Sequence, residues 1–197
     1  IIIKNLKFIN ATNSAIKSEV NLSIDKCEFE NNTTLKLGGA IYCDKNIRSV
    51  SGKFYNNQAN DGGAIYCDEN IGSVTGEFYN NKAEKEGGAI KCQDNLESVS
   101  GKFYNNQATY GGAIYCEDDI AFIFATFEGN TAVDYGGAIC CYQKIGSVSG
   151  KFYNNTATAN DGCGGAIHSE LEIKSVSGIF ENNKADSGGA IHCGDNI

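Results

Sequence analysis

Nine cysteines, two histidines and evenly spaced carboxylates and tyrosines are the groups of this 197-residue chain that could do chemistry. Cys43, Cys67, Cys92, Cys116, Cys141 and Cys193 recur at near-constant intervals, with Ser169 filling the gap in the series. Such a row could cross-link or hold a soft metal. Free cysteine, however, also behaves as a small, readily buried hydrophobe. Side chains pointing in parallel rarely reach the torsion a disulfide needs. Buried, reduced thiols are therefore the favoured reading. Cys27, Cys140 and Cys163 lie off this row.

Cys140, His168 and His192 are the weak metal candidates, because they share one column in three successive repeats and carry S and N donors. Three collinear donors do not make a tetrahedron, so ordinary surface substitution is preferred and no cofactor is expected. Asp44, Asp68, Glu117, Asp118, Asp119, Glu170 and Asp195 follow the cysteine row. Calcium would suit such oxygens, but solvated turn residues are the favoured reading. Tyr55, Tyr79, Tyr104 and Tyr153, beside Lys53, Lys102 and Lys151, form the possible binding face for sugars or peptides. Aromatic rows also stabilise a sheet surface by packing on one another.

A repeat positions these groups. Gly-Gly-Ala-Ile begins at Gly38, Gly62, Gly87, Gly111, Gly136, Gly164 and Gly188, at spacings of 24, 25, 24, 25, 28 and 24. Phe-x-x-Asn begins at Phe29, Phe54, Phe78, Phe103, Phe127, Phe152 and Phe180. All length variation falls between the second Asn and the Gly-Gly pair, which reads as a loop. Within Gly39-Ala40-Ile41-Tyr42-Cys43 the signal has period two, so Ile and Cys point inward. The alternate column (Tyr42, Tyr66, Lys91, Tyr115, Cys140, His168, His192) tolerates Lys and His and is read as solvent-facing. Helical repeats would need about 33 residues and a 3.6-residue period.

The reading is all-β: a right-handed parallel β-helix of about eight coils, 24–25 residues each. It is one domain over 1–197, with a degenerate first coil at 1–27 and regular coils at 28–197. The Asn57 column is assigned both a left-handed bend and an amide ladder. Proline would cost a ladder hydrogen bond almost anywhere, and there is none. The absence of methionine implies a piece of a longer protein.

The charge of −8 with Arg48 as the lone arginine argues against nucleic acid. The longest apolar run, Ile120 to Ala125, is far short of the ~20 residues of a membrane helix. Catalysis by a polysaccharide-active enzyme would need a unique cluster, such as paired carboxylates at a defined separation. Here the carboxylates repeat with the coil, so the chain is read as no enzyme.

Segments such as Phe54 to Cys67, which carry both motifs, resemble the chlamydial polymorphic outer-membrane proteins. They are also similar to adhesin-like β-helix proteins of gut archaea and to surface proteins of some protists. The resemblance implies an extracellular, cell-surface passenger segment that adheres to a host or neighbouring-cell protein or glycan. A structural stalk, or a filament subunit associating end to end, is the alternative.

Overall fold

The isoleucine closing each Gly-Gly-Ala-Ile string opens a three-residue strand in the computed structural model, which describes residues 1–197. Ile16–Ser18, Ile41–Cys43, Ile65–Cys67, Ile90–Cys92, Ile114–Cys116, Ile139–Cys141, Ile167–Ser169 and Ile191–Cys193 stack into one eight-stranded parallel sheet. Isoleucine pairs with isoleucine along it, and cysteine with cysteine except where Ser18 and Ser169 stand in the row.

A second sheet of twelve strands carries the Phe-x-x-Asn strings. Leu22–Glu30, Ile47–Tyr55, Ile145–Tyr153 and Ile173–Glu181 cross it unbroken, whereas three intervening coils divide into two shorter strands. A third sheet of five strands contains Gln58–Ala59, Lys82–Ala83, Gln107–Tyr110, Thr131–Tyr135 and Thr156–Ala157. The molecule is a β-solenoid of about eight coils with no helix.

That third sheet corrects the reading of the variable segment as pure loop. Its first residues pair with the coils on either side, and buried Ala59, Ala83, Ala108, Ala132 and Ala157 close the third wall of the core. Length varies only between these alanines and the next Gly-Gly pair. Alternation there is too short to register as a period-two pattern.

The interior is a set of columns. Rings from Phe8 to Phe180 stack at centroid separations of 4.6–5.0 Å. The isoleucines at 41, 65, 90, 114, 139 and 167 are fully buried, and the terminal Ile191 and Phe180 are partly so. Cys43, Cys67, Cys92, Cys116 and Cys141 are buried as free thiols in the same core. They donate weakly to backbone carbonyls, as Cys67 does to Lys45 O at 3.2 Å. Burial pushes the Cys141 thiol up to about 12. Cys27 fills the place that Gly52 holds one coil later.

The asparagine ladder forms, but its bend lies one residue earlier than expected. The left-handed residues are Asn31, Asn56, Asn80, Asn105, Asn154 and Asn182, with φ of 53–56°. Asn32, Asn57, Asn81, Asn106, Asn130 and Asn155 instead turn their amides inward and are fully buried. Each Nδ2 donates to the next Oδ1 at 2.9–3.0 Å. The second Nδ2 hydrogen goes to a phenylalanine carbonyl of the preceding coil, as Asn106 gives to Phe78 O at 3.1 Å. Every amide group is thereby satisfied inside the core, which is what burial demands. At the opposite corner Gly87 has φ +62°, and a Cβ on Gly88 would sit 2.0 Å from Gly112 O. One glycine supplies the bend and the other the close approach of coils.

Candidate interaction surfaces

Three outward surfaces carry the chemistry-bearing residues. On the twelve-stranded sheet, Tyr55 and Tyr79 lie 5.3 Å apart and Tyr79 and Tyr104 5.1 Å apart between ring centroids. Register pairs Tyr104 with Glu128 and Glu128 with Tyr153. The expected four-tyrosine column is therefore a three-ring ladder, with Tyr153 set apart beyond a carboxylate. All four tyrosines are half-buried. Lys102 pairs with Glu77 at 3.2 Å beside the ladder, which gives the face a mixed charge.

The column beside the Ile/Cys sheet differs from expectation. Tyr66, Lys91, Tyr115, Cys140 and His168 are buried, although they point away from the core. Their cover is the segment just before each Gly-Gly pair, whose residues bridge from coil to coil (Glu86 to Tyr110, Tyr135 to Cys163, Cys163 to Ser187). Lys91 is 2% exposed, and its Nζ lies 2.8 Å from Glu86, 2.6 Å from Glu117 and 3.9 Å from the centre of the Tyr115 ring. A buried ammonium is tolerable only with such compensation. Tolerance of Lys and His therefore reflects local partners rather than exposure to solvent. The Tyr66 and Tyr115 hydroxyls are held above the usual phenol range, first by burial and then by nearby carboxylates.

Cys140, His168 and His192 do occupy successive rungs. The His168 ring stacks on Tyr135 at 4.8 Å and on His192 at 5.1 Å. Glu170 accepts a hydrogen bond from His168 Nε2 at 3.1 Å, while Nδ1 is buried without a partner. Burial lowers the His168 imidazole below its usual range, against the opposing pull of Glu170. Burial also raises the Cys140 thiol well above its ordinary value. No three His, Cys, Asp or Glu side chains converge in a metal-holding arrangement.

Several of the acidic turns are engaged with neighbouring coils. Tyr42 Oη donates to Asp68 at 3.1 Å, Lys45 pairs with Glu69 at 2.7 Å, and Lys144 N donates to Asp119 at 3.0 Å.

The third surface is one that sequence reasoning passed over. Phe122 and Phe124 stand 49% and 55% exposed on the outer face of the twelve-stranded sheet. Their rings are 6.3 Å apart and within 10° of parallel. The register partners of Phe122 are Ser98 and Ser147. The signal lies in the repeat itself, where Ile120 to Ala125 breaks a serine column that its neighbours keep. As an apolar run alone, it is too short to stand out.

A model of the Chlamydia polymorphic membrane protein repeat matches residues 26–44, 51–68, 75–93, 100–117, 125–142, 149–170 and 177–194. No curated protein and no solved structure matches the chain.

Proposed function

The chain belongs to the Chlamydia polymorphic membrane protein repeat family, and from that membership we infer that it is a surface-exposed β-helical segment of an adhesin. It presents an extended face to a protein or glycan on a host or neighbouring cell. The observation that best supports this is the tyrosine ladder of Tyr55, Tyr79 and Tyr104, held in register across three coils by a continuous core. Stacked phenols offer apolar area with a polar edge, at low conformational cost, to whatever docks on them. The surface is read as binding rather than catalytic, because its ionisable side chains recur from coil to coil and form no unique cluster. A spacer role is the second reading, supported by the same unbroken core, which makes a stiff rod.

Adherence of fluorescently labelled protein to cultured epithelial cells tests the proposal. Saturable binding, weakened about tenfold by replacing Tyr55, Tyr79 and Tyr104 with serine, is the expected result. Adherence that never saturates would leave only the spacer reading, and saturable adherence that ignores the substitutions would move the site off the tyrosine ladder.

A further inference from the structure

Asn10, Asn21, Asn31, Asn32 and Asn154 each head an Asn-x-Ser/Thr triplet. Such a triplet is the acceptor for N-linked sugar and marks exposed loops of exported proteins. Asparagine is abundant here, so the triplet alone decides nothing and the fold must choose among the five.

Three of them occupy the same corner of the coil. Asn10, Asn31 and Asn154 are left-handed bends with φ of 58°, 55° and 55°, and all are exposed. Their side-chain amides make no hydrogen bond, whereas at the same corner Asn80 Nδ2 donates to Asn56 Oδ1 at 3.4 Å. The hydroxyls that complete these triplets, on exposed Thr12 and Thr33 and half-buried Thr156, are likewise uncommitted. Both groups that define the acceptor are therefore free on the surface.

The remaining two are spent on the fold. Asn32 Nδ2 gives one hydrogen to Asn57 Oδ1 at 2.9 Å and the other to Phe8 O at 3.2 Å, inside the core. A glycosylated amide keeps one N–H, so sugar there would leave a buried acceptor unpaired. Asn21 is half-buried, and its Oδ1 accepts from Asn46 Nδ2 at 3.4 Å at one end of a second asparagine ladder.

Space favours Asn154 most, because the bend of the preceding coil is Gly129, which carries no side chain. Asn10 and Asn31 are successive bends. They lie about 4.8 Å apart, so two sugars there would stand side by side.

Placement relates the set to the tyrosine ladder. On its three coils, the residue two places after the bend is Gln58, Lys82 or Gln107, and none completes an acceptor. Asn10 and Asn31 follow Ile9 and Glu30 on the coils before Tyr55, and Asn154 follows Tyr153 beyond Tyr104. Sugar at these bends flanks the ladder and is attached to none of its coils.

We propose that Asn10, Asn31 and Asn154 are acceptor sites for N-linked oligosaccharide and bracket the tyrosine ladder. The proposal rests on the reading of the chain as a cell-surface segment, because transfer takes place during export. In the transfer, Nδ2 bonds to the anomeric carbon of a lipid-diphosphate oligosaccharide. The bond from that carbon to the diphosphate oxygen breaks, the lipid diphosphate leaves with the electron pair, and the amide loses one proton to a carboxylate of the transferase.

Expression with a secretory leader in insect cells, then peptide-N-glycosidase digestion in heavy-oxygen water, tests it. Digestion converts each glycosylated asparagine to labelled aspartate, which peptide mass mapping locates in released and cell-retained chain alike. The expected result is label at Asn154, label at one or both of Asn10 and Asn31, and none at Asn32. Thr156→Ala should remove the label from Asn154, and Thr12→Ala/Thr33→Ala from the pair, while every asparagine bend is kept. An unlabelled Asn154, an unlabelled pair, or label at Asn32 would overturn the proposal. Gln107→Thr makes Asn105 an acceptor beside Tyr104, and with sugar attached it should lower cell adherence about tenfold. Equal adherence by that glycosylated variant would contradict the bracket. Adherence by a chain without sugar at these bends would refute the sites and leave the adhesive reading intact. Mapped sugar on a chain that does not adhere would do the reverse.

Discussion

Asn106 shows how one residue type can hold two coils at once. Its Nδ2 donates to Asn130 Oδ1 at 3.0 Å and to Phe78 O at 3.1 Å, while its Oδ1 accepts from Asn81 N and Nδ2 at 3.0 Å each. None of these atoms reaches water. Asn106→Ala would strand donors on Asn81 and acceptors on Phe78 and Asn130, and each unsatisfied buried group costs about 1–3 kcal/mol. The expected loss is roughly 3 kcal/mol or more by chemical denaturation. The neighbouring Asn105, which bends the chain with φ 53° and is exposed, should cost much less when changed to glycine. Equal losses at the two positions would contradict the division of labour between bend and ladder.

At the scale of the element, the covered column beside the Ile/Cys sheet makes the C-terminal coils sensitive to acid. His168 is buried, stacked between Tyr135 and His192, and holds Glu170 through Nε2. Its imidazole is depressed in the folded state, so the unfolded chain binds the proton more readily. Stability contributed by the neutral ring is thus present above the unfolded value of about 6.5 and is lost as pH falls below it. His168→Tyr, the residue this column carries at Tyr66 and Tyr115, should reduce the loss of melting temperature between about pH 7.5 and pH 5. An unchanged pH dependence would show that the carboxylates alone cause it. The same column marks the limit of what sequence could tell. Period-two alternation placed Ile41 and Cys43 inward correctly, because the pleat fixes side-chain direction relative to the sheet. Direction is not exposure. Whether Lys91 and His168 meet water depends on a covering segment of variable length, whose partners Glu86 and Tyr135 come together only after the coils stack. The tyrosine ladder was legible from spacing, but its interruption at Glu128 matters only once register is fixed. The phenylalanine ridge needed the repeats compared column by column along the outer face, where the core motifs draw the eye instead.

For the whole molecule, stability comes from stacking. Each coil contacts chiefly the coils before and after it, so stability is a sum of coil terms and nearest-neighbour terms. Phenylalanine, isoleucine, cysteine and asparagine columns run through the interior coils without a unique keystone. The surface they support repeats with them, apart from local features such as the phenylalanine ridge. Excising Gly87 to Tyr110 brings Gly111 directly after Glu86 and removes one period, with Tyr104, while sparing Phe122 and Phe124. Small-angle scattering and cell adherence measured on this deletion are the most direct test of additive stacking. The expected product is a folded rod shorter by one coil, about 4.8 Å, that still adheres but less strongly. An unfolded product, or a folded one whose adherence is either abolished or wholly unchanged, would contradict it.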